Sequence, residues 1–345
     1  MRPLVMRCGA FGDIVLLTTL LRQLHLRFGE PVDVIASGPW SEPLLSGQSC
    51  VGEIRIIRSR KTPYWLSRSQ RELTAWLRKR PPGPTWYCDP GVGAELLTRG
   101  GIPDDYICDS RSIPWIPGEH FVDRWIRLAL LTPPAFGDSL PTTSARVRRA
   151  AVLEISDADR RGLDTWLTNR GLAGRQFVLI QAGNKRTMRG WSRKRATNTK
   201  YWPEDRWAEV IRAVRADLPE HAILLMGVPA EHALNEDIRR IAQVRDVYNV
   251  ADDLPIRTLL PLLERASSLI SVDTGPAHAA AALGCPTVAL FGTSDPSLYR
   301  PGGIDTPAVA LTGEIDGQKN ILGIDVEMVV RAWRALTAAP VEQSS

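Results

Sequence analysis

The chain has 345 residues, 44% of them hydrophobic and 23% charged, which excludes a disordered or fibrous protein and suits two soluble domains. Its formal charge of +5 and isoelectric point near 9.1 favour acidic partners: nucleic acid, an anionic membrane surface or phosphorylated substrates. Five scattered cysteines (Cys8, Cys50, Cys88, Cys108 and Cys285) lack zinc or redox spacing and read as buried reduced thiols. The N-terminal stretch lacks a signal-peptide pattern and no run of about 18 apolar residues occurs, so a cytoplasmic location is expected.

The pattern along the chain is alternation. A short strand at Leu4–Met6 leads through the loop Gly9–Gly12 to a helix, Ile14–Phe28, whose leucines recur on one face. Strands are predicted at Val32–Ala36, Glu53–Ile57 and Thr85–Cys88, and helices at Ser67–Lys79, from Gly93 onward and at Phe121–Leu131. Thr132–Ser144, with three prolines and no period, reads as a connection between domains. The alternation then restarts. Helices are expected at 157–168, 203–217, 231–242, 256–265 and 276–283, with strands at 177–180, 222–226, 269–272 and 287–291. A last helix, Val326–Leu336, is expected to cross back onto the first domain. Two βα series imply an α/β protein of two doubly wound parallel sheets, spanning 1–150 and 151–323 before a C-terminal helix and tail at 324–345. Ligands of such sheets lie beyond the carboxyl ends of the strands, so the loops that follow strands carry the candidates.

The first such loop, Cys8–Asp13, is not a dinucleotide fingerprint. Asp13 is either a helix cap or a carboxylate able to accept a proton, with Gly12 beside it. The second loop, S-V-D-T-G-P-A-H-A-A-A from Ser271, ends a strand in a tight turn. Free N–H groups at the following helix start, with the Thr274 hydroxyl, would form an anion site. Asp273 and Thr274 are alternatively ordinary caps, although that leaves His278 unexplained in a helix of small residues. Between Asn184 and Pro203 runs a strongly basic stretch carrying Arg186 and Arg189 and ending at Lys200. It reads as a nucleic-acid arm, a surface loop or a phosphate clamp. Trp191 as the one aromatic among residues 185–200, with no flanking nucleic-acid module, argues against the first.

D-T-G-P-A-H-A-A-A-A-L-G-C-P-T-V-A-L-F-G-T-S-D-P, from Asp273 to Pro296, resembles the signature of glycosyltransferase family nine, the lipopolysaccharide heptosyltransferases. G-D-I-V-L-L-T-T-L-L-R-Q-L from Gly12 is similar to that family's opening motif, and K-Y-W-P-E-D-R-W from Lys200 to its Lys-x-Trp-Pro segment. The resemblance is collinear from about residue 4 to 301. It implies a GT-B fold, with two Rossmann-like domains facing across a cleft, and an inverting, metal-independent enzyme. No cofactor is implied. The implied donor is ADP-heptose and the implied acceptor the lipopolysaccharide lipid A-core, with peripheral contact at the cytoplasmic face of the inner membrane and no nucleic acid.

Residue by residue, the resemblance implies Asp13 as catalytic base. It places Gly183, Lys200, Glu231, Asp273, Thr274, Gly275 and His278 around the nucleotide sugar, although Glu231 is nearly as well explained as an acid complementing a helix start. Acceptor contacts fall on Arg58, Arg60, Lys61, Asp89, Arg186 and Arg189, with a solvated basic face as the alternative for the arginines and lysine. His120 is read as a helix cap, and the tryptophans, Trp65 and Trp115 included, as packing and rim residues. Gln181-Ala182-Gly183 departs from the family's His-Pro-Gly and keeps only the glycine.

Overall fold

The computed structural model describes residues 1–59, 61–89, 93–184 and 198–338, in two compact units, Met1–Glu154 and Ile155–Ser345. In the first unit the strands are β1 Leu4–Arg7, β2 Val32–Ser37, β3 Val51–Ile57, β4 Thr85–Tyr87 and β5 Ile107–Asp109. Its helices are α1 Phe11–Phe28, α2 Ser41–Leu45, α3 Arg68–Lys79, α4 Ala94–Arg99 and α5 Phe121–Ala129. The sheet order is β3-β2-β1-β4-β5, every pair parallel. Leu4, Val5 and Met6 of the central strand are fully buried, as a parallel strand covered on both faces requires. Helix α1 starts at Phe11 rather than Ile14, so Gly12 and Asp13 belong to its first turn. It stops where Gly29 turns left-handed at φ 67°.

The segment expected to connect the domains is instead bound to the first unit. Buried Arg27 of α1 holds it, and three further buried polar residues of α1 hold the stretch that follows it. The Arg27 guanidinium donates to the carbonyls of Ala129, Leu131 and Pro141 and to the Thr132 hydroxyl. Burial pulls its pKa below the usual arginine value. Gln23 donates to Ala145 O and accepts from Val147 N–H, while Thr19 donates to Ala150 O and Thr18 accepts from Val152 N–H. The partners are side chains rather than a strand ladder, which is why the segment shows no period.

The second unit repeats the construction. After α6 Asp157–Asn169 come β6 Phe177–Gln181, α7 Glu204–Asp217, β7 Ala222–Leu225, α8 His232–Ala242 and β8 Val247–Asn249. Then follow α9 Ile256–Arg265, β9 Ser268–Val272, α10 Gly275–Ala282, β10 Thr287–Phe291, α11 Pro296–Tyr299 and β11 Ala308–Thr312. A small antiparallel hairpin, β12 Glu314–Ile315 with β13 Gln318–Lys319, precedes α12 Val326–Ala338. The main sheet runs β11-β10-β9-β6-β7-β8, again parallel.

Helix α12 packs on the core of this second unit. Val329, Val330, Trp333 and Leu336 join its core, and Trp333 Nε1 donates to Ser268 Oγ at 2.9 Å. The apolar stripe of the helix is met there by the sheet and by α7.

In both units the strand order reverses at one place. In the first it lies between β1 and β4, in the second between β6 and β9. Loops at such a switch point splay apart and leave a crevice for ligands. Asp13 and Asp89 follow β1 and β4; Gly183 and Asp273 follow β6 and β9.

Candidate active site

In the first unit, Ala10 is the N-cap of α1, and Asp13 is the third residue of the first turn rather than the cap itself. Its Oδ2 accepts from Ala10 N–H at 2.7 Å, and its Oδ1 lies 3.1 Å from Arg7 Nη2. A carboxylate here answers the positive end of the helix dipole. Its side chain keeps 31% exposure, so a substrate hydroxyl can reach it. Gly9 makes this fold-back possible, because a Cβ there would stand 2.4 Å from Asp13 Cβ. Trp40 Nε1 donates to Gly9 O and pins the loop from the other side.

Asp89, expected to reach acceptor hydroxyls, is fully buried. Its two oxygens accept from Cys8 N–H at 2.8 and 3.0 Å, and Arg7 Nη1 lies 3.9 Å away while donating to Cys88 O. The residue braces the loop through these bonds. Burial, then the Asp89 charge, push the neighbouring Tyr87 phenol up to about 12. Arg7 thus spans both carboxylates and holds Asp13 in place. Arg58 and Lys61 are exposed on the loop after the edge strand β3, away from the switch point. Arg60, Arg186 and Arg189 lie outside the described residues.

In the second unit, β9 ends in the turn Asp273-Thr274 and α10 begins at Gly275, with Pro276 one position further in than expected. Thr274 is the N-cap but makes no side-chain cap bond; its Oγ1 lies 3.0 Å from Ser271 Oγ. Gly275 and Ala277 supply N–H groups that have no acceptor within the helix by their position. Lys200 Nζ donates to Asp273 O at 2.9 Å and to Asp273 Oδ2 at 2.6 Å, bringing a cation to this helix start. His278 is buried one turn in, its Nε2 4.0 Å from Asp273 Oδ1. Lys200, Asp273, Thr274, Gly275 and His278 therefore form one cluster.

Glu231 lies beside it, after β7, and is buried. Its Oε2 accepts from Val228 N–H at 3.0 Å, at the start of a short 3-10 turn, and from Gln181 Nε2 at 3.3 Å. Gly183 is explained by the same carboxylate: a Cβ at 183 would stand 2.3 Å from Glu231 Oε1. Gln181 fills the polar position left by the departure from His-Pro-Gly. The ends of the basic stretch are tied together, since Asn184 Nδ2 donates to Lys200 O and Asn198 Nδ2 to Asn184 Oδ1. Arg7, Gln181, Asn184 and Asn198 were not among the sequence candidates; each is recognised only through a partner distant in the chain. His120 caps α5 as expected, accepting from Val122 N–H.

Two parallel doubly wound units, each with polar residues at its switch point, define the GT-B class. The chain belongs to glycosyltransferase family 9 (heptosyltransferase), whose family model matches residues 106–315. It is 35% identical over 104 residues to lipopolysaccharide heptosyltransferase 1 of Salmonella typhimurium. That match spans 29% of this chain and 30% of the relative's length. Among solved structures, the E. coli ADP-heptose lipopolysaccharide heptosyltransferase II superposes with a TM-score of 0.74 at 20% identity, covering 98% of this chain and 99% of that one. The family 9 glycosyltransferase of Veillonella parvula gives 0.77 at 18% identity over 98% and 97%. Among the described residues, no helix is long and apolar enough to cross a membrane.

Proposed function

We propose that this chain is an inverting, metal-independent glycosyltransferase that moves a heptose from ADP-heptose to a lipopolysaccharide core acceptor in the cytoplasm. The observation that carries the reading is the Lys200 ammonium held beside the uncapped start of α10 at a switch point. A diphosphate fits that place by charge and by hydrogen bonding. The relative of similar fold from E. coli is described as using ADP-heptose, which supports the same donor here.

In this reading the acceptor hydroxyl attacks the anomeric carbon as its proton passes to Asp13. The glycosidic bond to the diphosphate breaks on the opposite face, and the new charge on the leaving oxygen falls to Lys200, Thr274 and the α10 N–H groups. Arg7 fixes one oxygen of Asp13 and Ala10 N–H the other, so the base is oriented before substrate arrives. Asp273 keeps Lys200 positioned while sharing it with the donor.

Incubation with ADP-heptose and truncated lipopolysaccharide acceptors, read by mass, tests this. The expected product is the acceptor plus one heptosyl unit. A calorimetric panel of ADP-, UDP- and GDP-sugars accompanies it. A preference for a UDP- or GDP-sugar would instead mark another GT-B transferase or an epimerase.

A further inference from the structure

The second half of the motif that begins at Asp273 has no part in the cluster around Lys200. From Phe291 it reads F-G-T-S-D-P, and Gly292 follows the carboxyl end of β10. Gly292 is not in the left-handed region, so no turn demands a glycine there. Space demands it: a Cβ at 292 would stand 1.8 Å from Thr199 O and 2.9 Å from Thr199 C. Those are main-chain atoms, which cannot rotate aside as the end of a side chain can. Thr199 is the residue before Lys200.

The main chain of Lys200 is held by other partners as well. Its N–H donates to Asn198 Oδ1 and its carbonyl accepts from Asn184 Nδ2, both at 3.2 Å, and both asparagines are buried. Just beyond, Tyr201 N–H donates to Asn198 O at 2.9 Å. Trp202 is buried, donates from Nε1 to Ile324 O at 3.0 Å and meets the Trp207 ring edge-on. The carboxylate that receives the ammonium is fixed to the same strand end, since Asp273 N–H donates to Leu290 O at 2.9 Å. A lysine side chain is a flexible stem that sets no geometry of its own. Where its ammonium lands is therefore decided by the main chain at 198–200 and by the end of β10 beside it.

We propose that Gly292, together with Asn198, is a positioning residue for the Lys200 ammonium and so sets how tightly the diphosphate of the donor is held. The inference rests on the donor role given to Lys200 above. A side chain at 292 would push the Thr199 carbonyl off the end of β10 and carry Lys200 with it. Loss of Asn198 Oδ1 would release the Lys200 N–H from the same seat. Either change moves the ammonium away from Asp273 and from an anion at the start of α10, and a charge-assisted hydrogen bond weakens steeply with such displacement. Neither residue needs to touch the donor for this.

A double-mutant cycle on the full chain, read by calorimetry with ADP, tests it, and circular dichroism checks that each variant folds. Gly292→Ala and Asn198→Ala should each weaken ADP binding about tenfold in the parent. In the Lys200→Met background, where no ammonium remains to be misplaced, each should cost less than about twofold. Asn198→Ser, whose hydroxyl can take the N–H two residues on, should recover part of the loss. Adenosine, which lacks phosphate, should bind these variants as it binds the parent. If Gly292→Ala does not fold, the Asn198 arm decides alone by the same criteria. Losses of equal size with and without Lys200, or parental ADP affinity in the seat variants, would overturn the proposal and leave the donor role of Lys200 standing. A parallel loss of adenosine would mark a structural defect and overturn it too. Parental ADP affinity in Lys200→Met would overturn that donor role, and the proposal with it.

Discussion

Two helix starts, one in each unit, are built alike and wired oppositely. Each follows a central strand at a switch point and each carries an aspartate. At α1 the protein supplies its own anion: Asp13 bonds the Ala10 N–H and sits against Arg7. At α10 the aspartate is spent on a cation instead, since Asp273 holds Lys200, and the N-cap Thr274 makes no cap bond. The two termini therefore offer different chemistry. A helix start that answers its own dipole presents a partly exposed carboxylate, suited to taking a proton. One left open beside an ammonium is suited to holding an external anion.

Substitutions at either end sharpen or break this contrast. The largest effect short of that at Asp13 is expected at α10. Lys200→Met removes one charge-assisted contact to a bound diphosphate, so donor affinity measured by calorimetry should fall about 10- to 100-fold. Unchanged affinity would mean that the ammonium serves only Asp273.

At α1 the corresponding change acts on stability. Asp89→Ala removes the buried carboxylate that accepts from Cys8 N–H, a cost of about 1–3 kcal/mol visible as a lower midpoint of thermal unfolding. Asp89→Asn keeps an acceptor oxygen and should recover much of the loss. If both variants melt like the parent, the brace is dispensable.

The smallest expected effect is a null one. All five cysteines are buried outside any disulfide, and burial pushes Cys50 up to about 11 and Cys108 and Cys285 to about 12, with Cys88 higher still. Thiolate is therefore scarce at these four sites at pH 8, and Cys8 is buried too, so a thiol reagent should label the native chain slowly but all five sites in denaturant. The linkage runs one way: these raised values favour the folded state below the ordinary thiol value of 9.0, and that advantage is lost as pH climbs toward them. Rapid labelling at pH 8 would contradict the burial.

Much of this architecture was legible from periodicity. The leucines of α1 and the apolar runs of β1, β6, β9 and β10 announced themselves because both faces of each sheet are covered. Strands β5, β8 and β11 were missed, and all three are edges. β5 and β8 have three residues each, and the five of β11 are only half-buried or exposed, so apolar alternation had little length or burial from which to show. The connection expected at 132–144 failed for a related reason, its side-chain partner being the buried Arg27 of α1, a residue distant in the chain.

In the candidate site, sequence located Asp13, Lys200 and Asp273 in loops after strands or just before a helix. It did not pair them. Cys8 meets Asp89 81 positions away, and Lys200 meets Asp273 73 positions away. Nothing in the local pattern encodes such partners, and the same distance hid Arg7 and Gln181. Trp65 and Trp115, expected as packing or rim residues, lie exposed on loops, where no period operates.

The division of labour between the two helix starts is tested most directly with Asp13→Asn, by measuring donor affinity and turnover on the same preparation. The account predicts that ADP-heptose binds as to the parent while kcat falls about 10²- to 10⁴-fold, the usual worth of a general base. Turnover at the parental rate, or loss of donor binding in step with turnover, would contradict it.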